Sequence, residues 1–144
     1  MQVMQILKDK GELPVITVTP ETNLADVANL LSSKRIGAVV VTSDGRDVVG
    51  ILSERDIVRE VARRGSACLT MLAGDVMTRE IKCCAPTDST DAVMERMTEG
   101  RFRHMPVRDK GEMIGVISIG DVVKARLAEL HMEKEALTGM IMGN

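Results

Sequence analysis

The sequence predicts an α/β fold of the α+β kind, made of two consecutive βαββα repeats in a single module. Three observations predict it. Shifting the chain against itself by 66 residues superposes Pro20 on Pro86, Val27 on Val93, Arg35 on Arg101, Val41 on Val107 and Gly45 on Gly111. A one-residue slip then lays Gly50, Ser53 and Asp56 on Gly115, Ser118 and Asp121, so that GILSERD is answered by GVISIGD. In each half a β-rich run, a proline, a helical period and two further β-rich runs split by a glycine turn follow in the same order.

In chain order, residues Val3 to Lys10 read as a short helix or lead-in that stops at Gly11. Val15 to Val18 is β-rich and ends at Pro20, after which Leu24, Val27, Ala28 and Leu31 recur at amphipathic-helix spacing, with Thr22 or Asn23 as the cap. Val39 to Val41 and Val48 to Leu52 are short strands around a turn at Gly45, and a helix from Ser53 or Glu54 runs to Arg64, where Gly65 stops it. The second half repeats this with a strand at Ile81 to Cys84, a helix carrying Val93, Met94 and Met97, strands at Met105 to Arg108 and Met113 to Ser118, and a last helix from about Gly120 to Leu137. That helix outlasts its counterpart and carries Val122, Val123, Leu127 and Leu130, a stripe expected to dock on its own module or on a twin. The expected boundaries are repeat one 10–65, a linker 66–78 with a helical turn at Leu72 to Met77, repeat two 79–130, and a C-terminal helix extension 131–144. Each half alone is near the lower size limit for independent stability, so the halves are expected to pack on each other.

Composition narrows the function. Nineteen basic and 21 acidic residues give a formal net charge of -2, which leaves no overall electrostatic case for nucleic acid or an anionic membrane. No apolar run approaches bilayer length and the first residues lack a secretory h-region, so a cytoplasmic protein is expected. The odd count of Cys68, Cys83 and Cys84 fits reduced thiols. Phe102 is the only aromatic residue, so base stacking on aromatic platforms, as in single-strand nucleic-acid binders, is largely ruled out and eleven Met help to fill the core. There is no P-loop or dinucleotide fingerprint, and His104 and His131 lack partners at metal-ligand spacing.

Both halves contain glycine, two apolar residues, serine, two variable residues, aspartate and an apolar residue opening a helix. On this motif the chain resembles a tandem pair of CBS domains, the domain named after cystathionine β-synthase, over nearly all of residues 1 to 130. The resemblance implies two repeats packed pseudo-two-fold through their sheets, clefts that take adenosine-containing ligands, and a homodimer. It implies a regulatory module without catalysis.

The residues support it in physical terms. A carboxylate in the first turn of a helix can accept hydrogen bonds from both hydroxyls of a ribose, and a hydroxyl with backbone N–H groups at that helix start can hold a phosphate. Asp56 and Asp121 are therefore the expected ribose acceptors, with Ser53 and Ser118 toward phosphate. The alternative is helix capping, for which Ser-x-x-Asp is equally suited, and one serine can do both. Arg101, Arg103 and His104 crowd the segment before the second repeat's central strand, where the family often meets phosphate; the alternatives are a solvated loop or pairing with Glu95 and Glu99. The first repeat offers Arg35 and Arg55 for a longer phosphate chain, a weak site or a structural pair. By resemblance, adenine would lie against Thr17, Val18, Ile36 and Val39 in one cleft, and against Cys83, Cys84, Phe102, Met105 and Pro106 in the other. Most of these apolar side chains fit a core equally well.

The ligand expected first is AMP, with ADP, ATP or NAD as alternatives in the same class, and S-adenosylmethionine belongs in any test. Binding across the cleft would shift the angle between units or the dimer geometry, and an effector protein of unknown identity would read the change. The rival is a ligand-independent dimerisation scaffold acting through the last helix. An enzyme using Cys83 or His104 comes third, because the sequence identifies no base for the thiol.

Overall fold

The computed structural model describes residues 1–11 and 15–142. The elements are α1 (Val3–Lys10), β1 (Thr17–Val18), α2 (Leu24–Lys34), β2 (Ala38–Thr42), β3 (Val48–Ser53), α3 (Glu54–Arg64), a 3₁₀ segment (Gly65–Thr70), α4 (Ala73–Val76), α5 (Thr90–Gly100), β4 (His104–Asp109), β5 (Glu112–Ser118) and α6 (Ile119–Ile141). The chain divides into two compact units. One is built mainly from 15–82, the other from 1–11, 83–109 and 115–142.

In the first-repeat unit β1 lies parallel to β2, and β2 pairs antiparallel with β3 through Ala38–Ser53, Val39–Leu52 and Val40–Ile51. Asn23 caps α2 by accepting the Asp26 N–H at 2.8 Å, leaving Leu24, Val27 and Leu31 on the buried face. With Val18, Val39, Val41, Leu52 and Ile57 these side chains form one apolar core. Leu72 bridges to Asn23 ahead of α4, and the Met77 side chain lies where a Cβ on Gly50 would stand.

The second-repeat unit differs at its start. The strand expected at Ile81 to Cys84 is reduced to one parallel bridge, in which the Cys84 N–H donates to Pro106 O at 3.0 Å and the Arg108 N–H to Cys84 O at 2.8 Å. Local bonds end the pairing on both sides: the Cys83 carbonyl accepts from Arg96, and Ala85 already turns toward Asp88. β4 and β5 then pair, and Val93, Met97, Met105, Val107, Ile117 and Val122 fill the core.

The lead-in helix is a full member of this second-repeat unit. Val3 is 0 % and Ile6 3 % exposed within the core of that repeat. Gln2 bridges to Ser89 ahead of α1 as Leu72 bridges to Asn23 ahead of α4, and Leu7 sits where a Cβ on Gly115 would meet it at 2.7 Å. Each motif glycine thus makes room for a side chain from a short helix or its end, Leu7 of α1 at Gly115 and Met77 after α4 at Gly50. The N-terminal ammonium fastens α1 to α6 by an ion pair with Glu129 at 3.1 Å.

The apolar stripe of α6 splits. Val122 and Ala125 face their own unit, whereas Val123, Leu127 and Leu130 are 41, 62 and 45 % exposed. Successive positions on a helix turn by about 100°, so 122 and 125 share one side while 123, 127 and 130 share another.

Candidate functional site

Each unit gathers its own group of expected residues. In the first-repeat unit Ser53 ends β3 and caps α3, and a hydrogen bond from the Glu54 N–H to Gly37 O, 2.9 Å, ties the segment after Arg35 and Ile36 to the helix start. In the second-repeat unit Ser118 caps α6, and the Ile119 N–H donates to Arg103 O at 2.8 Å. The two bonds are counterparts under the repeat. The second brings the basic segment Arg101–His104 to the first turn of the helix that carries Ser118 and Asp121.

Both Ser-x-x-Asp segments are capping boxes. The Asp56 N–H donates to Ser53 Oγ at 3.3 Å, and Asp56 Oδ2 accepts from the Ser53 N–H at 2.9 Å and from Ser53 Oγ at 3.1 Å. Arg59, one turn on, donates to Asp56 Oδ1 at 3.2 Å. Both carboxylate oxygens of Asp56 are thus bound within its own box and helix, and the residue is 7 % exposed.

Asp121 repeats the box, with its N–H on Ser118 Oγ at 3.1 Å and its Oδ2 on the Ser118 N–H at 2.8 Å. The ion pair, however, comes from α1: Lys10 Nζ lies 2.8 Å from Asp121 Oδ2 and 3.2 Å from Val116 O. Oδ2 of Asp121 thus takes both the Ser118 N–H and the Lys10 ammonium. The Asp121 side chain is 24 % exposed, against 10 % for Asp56. Partial burial works to raise the Asp121 pKa, but the bonds from Lys10 and Ser118 and the Lys10 charge outweigh it, so the carboxyl titrates below its ordinary range.

The arginines stand out by backbone. Arg35 and Arg101 end α2 and α5 in the left-handed region, at φ 54° and 56°. Glycine is the usual residue there because a Cβ costs about 1–2 kcal/mol. The same strained residue type at both equivalent positions points to a use for the side chain. Arg35, Arg55, Arg101 and Arg103 are exposed and enter no salt bridge among the described residues. His104 is half-buried.

The expected adenine walls divide. Thr17 is exposed, and Ile36, Cys83 and Phe102 are half-buried. Val18, Val39, Cys84, Met105 and Pro106 are buried, four of them within the apolar cores. Burial pushes the Cys84 thiol up to about 12, which leaves it protonated and unreactive. The backbone N–H and C=O of Cys84 are both taken by β4. The three cysteines are free.

Two clefts lie elsewhere. One of about 750 Å³ runs between α1 and α6, lined by Met1, Met4, Lys8, Ala128, Glu129 and Met132. Another of about 350 Å³ in the first-repeat unit is lined by Pro20, Ser43, Val49, Leu72, Asp75 and Arg79. None of the residues expected to touch a nucleotide lines either one. Sequence reasoning missed Lys10 and Arg59. Arg59 was readable as an i, i+3 partner on the same helix face, whereas nothing local connects Lys10 to a carboxylate 111 residues away.

Comparison with known proteins gives one consistent result. The CBS domain model matches residues 6–63 and again residues 73–128. The CBS domain-containing protein CBSX3, mitochondrial, of Arabidopsis thaliana is 34 % identical over 98 % of this chain and 72 % of its own length. The crystal structure of a CBS-domain containing protein from Agrobacterium tumefaciens is similar at 45 % identity and TM-score 0.84, covering 88 % of this chain and 99 % of that one. A CBS domain protein from Pyrobaculum aerophilum, solved in complex with AMP, is 29 % identical with TM-score 0.77, covering 92 % and 99 %. Among the described residues no helix is long and apolar enough to cross a membrane.

Proposed function

The chain belongs to the CBS-domain family, and from that premise we propose that it is a regulatory module that binds an adenosine-containing ligand and has no catalysis of its own. The observation that carries the reading is the bond from the Ile119 N–H to Arg103 O. It sets two exposed arginines beside a helix start whose first turn carries a carboxylate. Helix-start amides and guanidinium groups suit a phosphate, and the carboxylate suits a ribose diol. The AMP complex of the Pyrobaculum aerophilum protein supports the same ligand class.

We place the principal site in the second-repeat unit: Asp121 takes ribose, Ser118 and Arg103 take phosphate with Arg101 and His104, and Cys83 flanks the base. The corresponding group in the first-repeat unit, Ser53, Arg55, Asp56, Arg35, Thr17 and Ile36, is the weaker one, since Arg59 and Ser53 already fill both Asp56 oxygens. AMP is the leading ligand; for the longer phosphate chain of ATP or NAD the first group offers Arg55 and Arg35.

The ligand's signal reaches a partner through a change of conformation, and self-association is part of the reading. Val123, Leu127, Leu130, Leu137 and Ile141 are exposed on α6 at alternating four- and three-residue steps, interrupted only at Lys134. Such spacing suits a helix–helix seam between two copies. The same stripe favours the second reading, a scaffold that dimerises without ligand. A thermal-shift and calorimetric titration with AMP, ATP, NAD and S-adenosylmethionine separates them. The sensor reading expects AMP to raise the melting temperature; no response to any of the four at millimolar concentration leaves the scaffold.

A further inference from the structure

We propose that Lys10 is a built-in competitor for Asp121, so that the N-terminal helix sets the affinity of the second-repeat site. The inference rests on Asp121 being the ribose acceptor. It adds a residue 111 positions away that no motif includes.

The position of Lys10 follows from packing. α1 is held by the buried Val3 and Ile6, by Leu7 over Gly115, and by the pair between the terminal ammonium and Glu129. The last turn of α1 therefore arrives at the start of α6 with its ammonium 2.8 Å from Asp121 Oδ2. Its second bond, 3.2 Å to Val116 O, fixes the head group from another direction. Gly11 ends the helix at φ 80°.

A ribose diol donates two hydrogen bonds and uses a carboxylate best when both oxygens are open. Oδ2 already carries the Ser118 N–H and Lys10, so a diol must evict the ammonium to use both carboxylate oxygens. Eviction is feasible because the pair is exposed to water, with side chains 38 and 24 % accessible. Exposed pairs of this kind are worth a factor of roughly two to five in an equilibrium constant. Once displaced, Lys10 keeps Val116 O within reach. Among the described residues the ion pair of Asp56 in the first-repeat unit comes from Arg59 on the same helix.

The test is AMP and 2′-deoxy-AMP binding by calorimetry to the wild type, Lys10→Met, Lys10→Arg and Lys10→Met with Asp121→Asn, with the melting temperature of each as the folding control. Lys10→Met is expected to bind AMP about three- to fivefold tighter, to gain less for 2′-deoxy-AMP, and to lose the gain when Asp121 is also changed. Lys10→Arg, which keeps the charge, should stay within about twofold of wild type. If AMP binds wild type and Lys10→Met equally, or binds Lys10→Met more weakly, the competitor role is overturned and the ammonium instead assists the ligand or is indifferent to it. If no adenosine compound binds either protein, the ribose assignment of Asp121 itself fails, and the competitor falls with it.

Discussion

Asp56 and Asp121 occupy the third position of their helices behind the same serine cap, yet Asp56 is closed by Arg59 one turn along its own helix and Asp121 by Lys10 at the end of α1. The position that corresponds to Arg59 in the second repeat holds Lys124, which enters no salt bridge among the described residues. Duplication preserved the capping box because the box is local and serves any helix in that place. It left the outer face of the carboxylate free to diverge. In one repeat that face became an internal brace, in the other a contact with a separate helix that can be given up.

The sharpest way to break this contrast is to remove each acid in turn. Asp121→Ala should lower AMP affinity by roughly ten- to a hundredfold with the fold intact, as expected for losing charge-assisted bonds, whereas Asp56→Ala should change it by no more than about twofold. Equal losses, measured by calorimetry, would show that the two groups bind alike. Stability should follow the opposite order. Asp56→Ala is expected to cost on the order of 1–2 kcal/mol in denaturant unfolding, more than Asp121→Ala, because it leaves a nearly buried box unsatisfied. Arg103→Ala should weaken AMP by about fivefold and leave adenosine unchanged, since the guanidinium is assigned to phosphate alone. A matching loss for adenosine would remove Arg103 from that role.

The left-handed arginines offer a subtler test. Arg101→Gly relieves the backbone and should stabilise the protein by about 0.5–1 kcal/mol while weakening AMP; Arg35→Gly should stabilise similarly with little effect on AMP. Unchanged AMP binding in Arg101→Gly would mean that the strain serves nothing at this site. The smallest effect lies in acid. The Asp121 pKa is lowered in the folded state, so its contribution is complete above the ordinary value of 3.8 and is lost as pH falls through the lower folded value. Lys10→Met should flatten that acid limb, and an unchanged limb would show that the pair adds nothing to stability.

Much of the fold was legible because its signals are local. Asn23 as a cap, Leu24, Val27 and Leu31 as a buried face, Gly45 and Gly111 at turns and Ser53 and Ser118 at helix starts each follow from residue type and spacing. The strand at Ile81 to Cys84 was over-read: its β-rich composition says nothing about Arg96 claiming the Cys83 carbonyl or Asp88 turning the chain. Val18, Cys84 and Met105 were named as ligand walls and lie in apolar cores, since an apolar residue beside a binding motif looks the same in either place. For α6, spacing identified an amphipathic helix but could not say which side of it the unit would cover, and the unit covers Val122 and Ala125.

The sequence by itself determined the duplication, the order of strands and helices, and the serine and aspartate that open the last helix of each repeat, because capping and amphipathic periodicity act over three or four residues. Only the tertiary structure decided that α1 completes the second repeat and that Lys10 reaches Asp121. Those outcomes depend on which apolar face a short helix finds to bury, and a contact made across more than a hundred residues leaves no periodic trace in the chain.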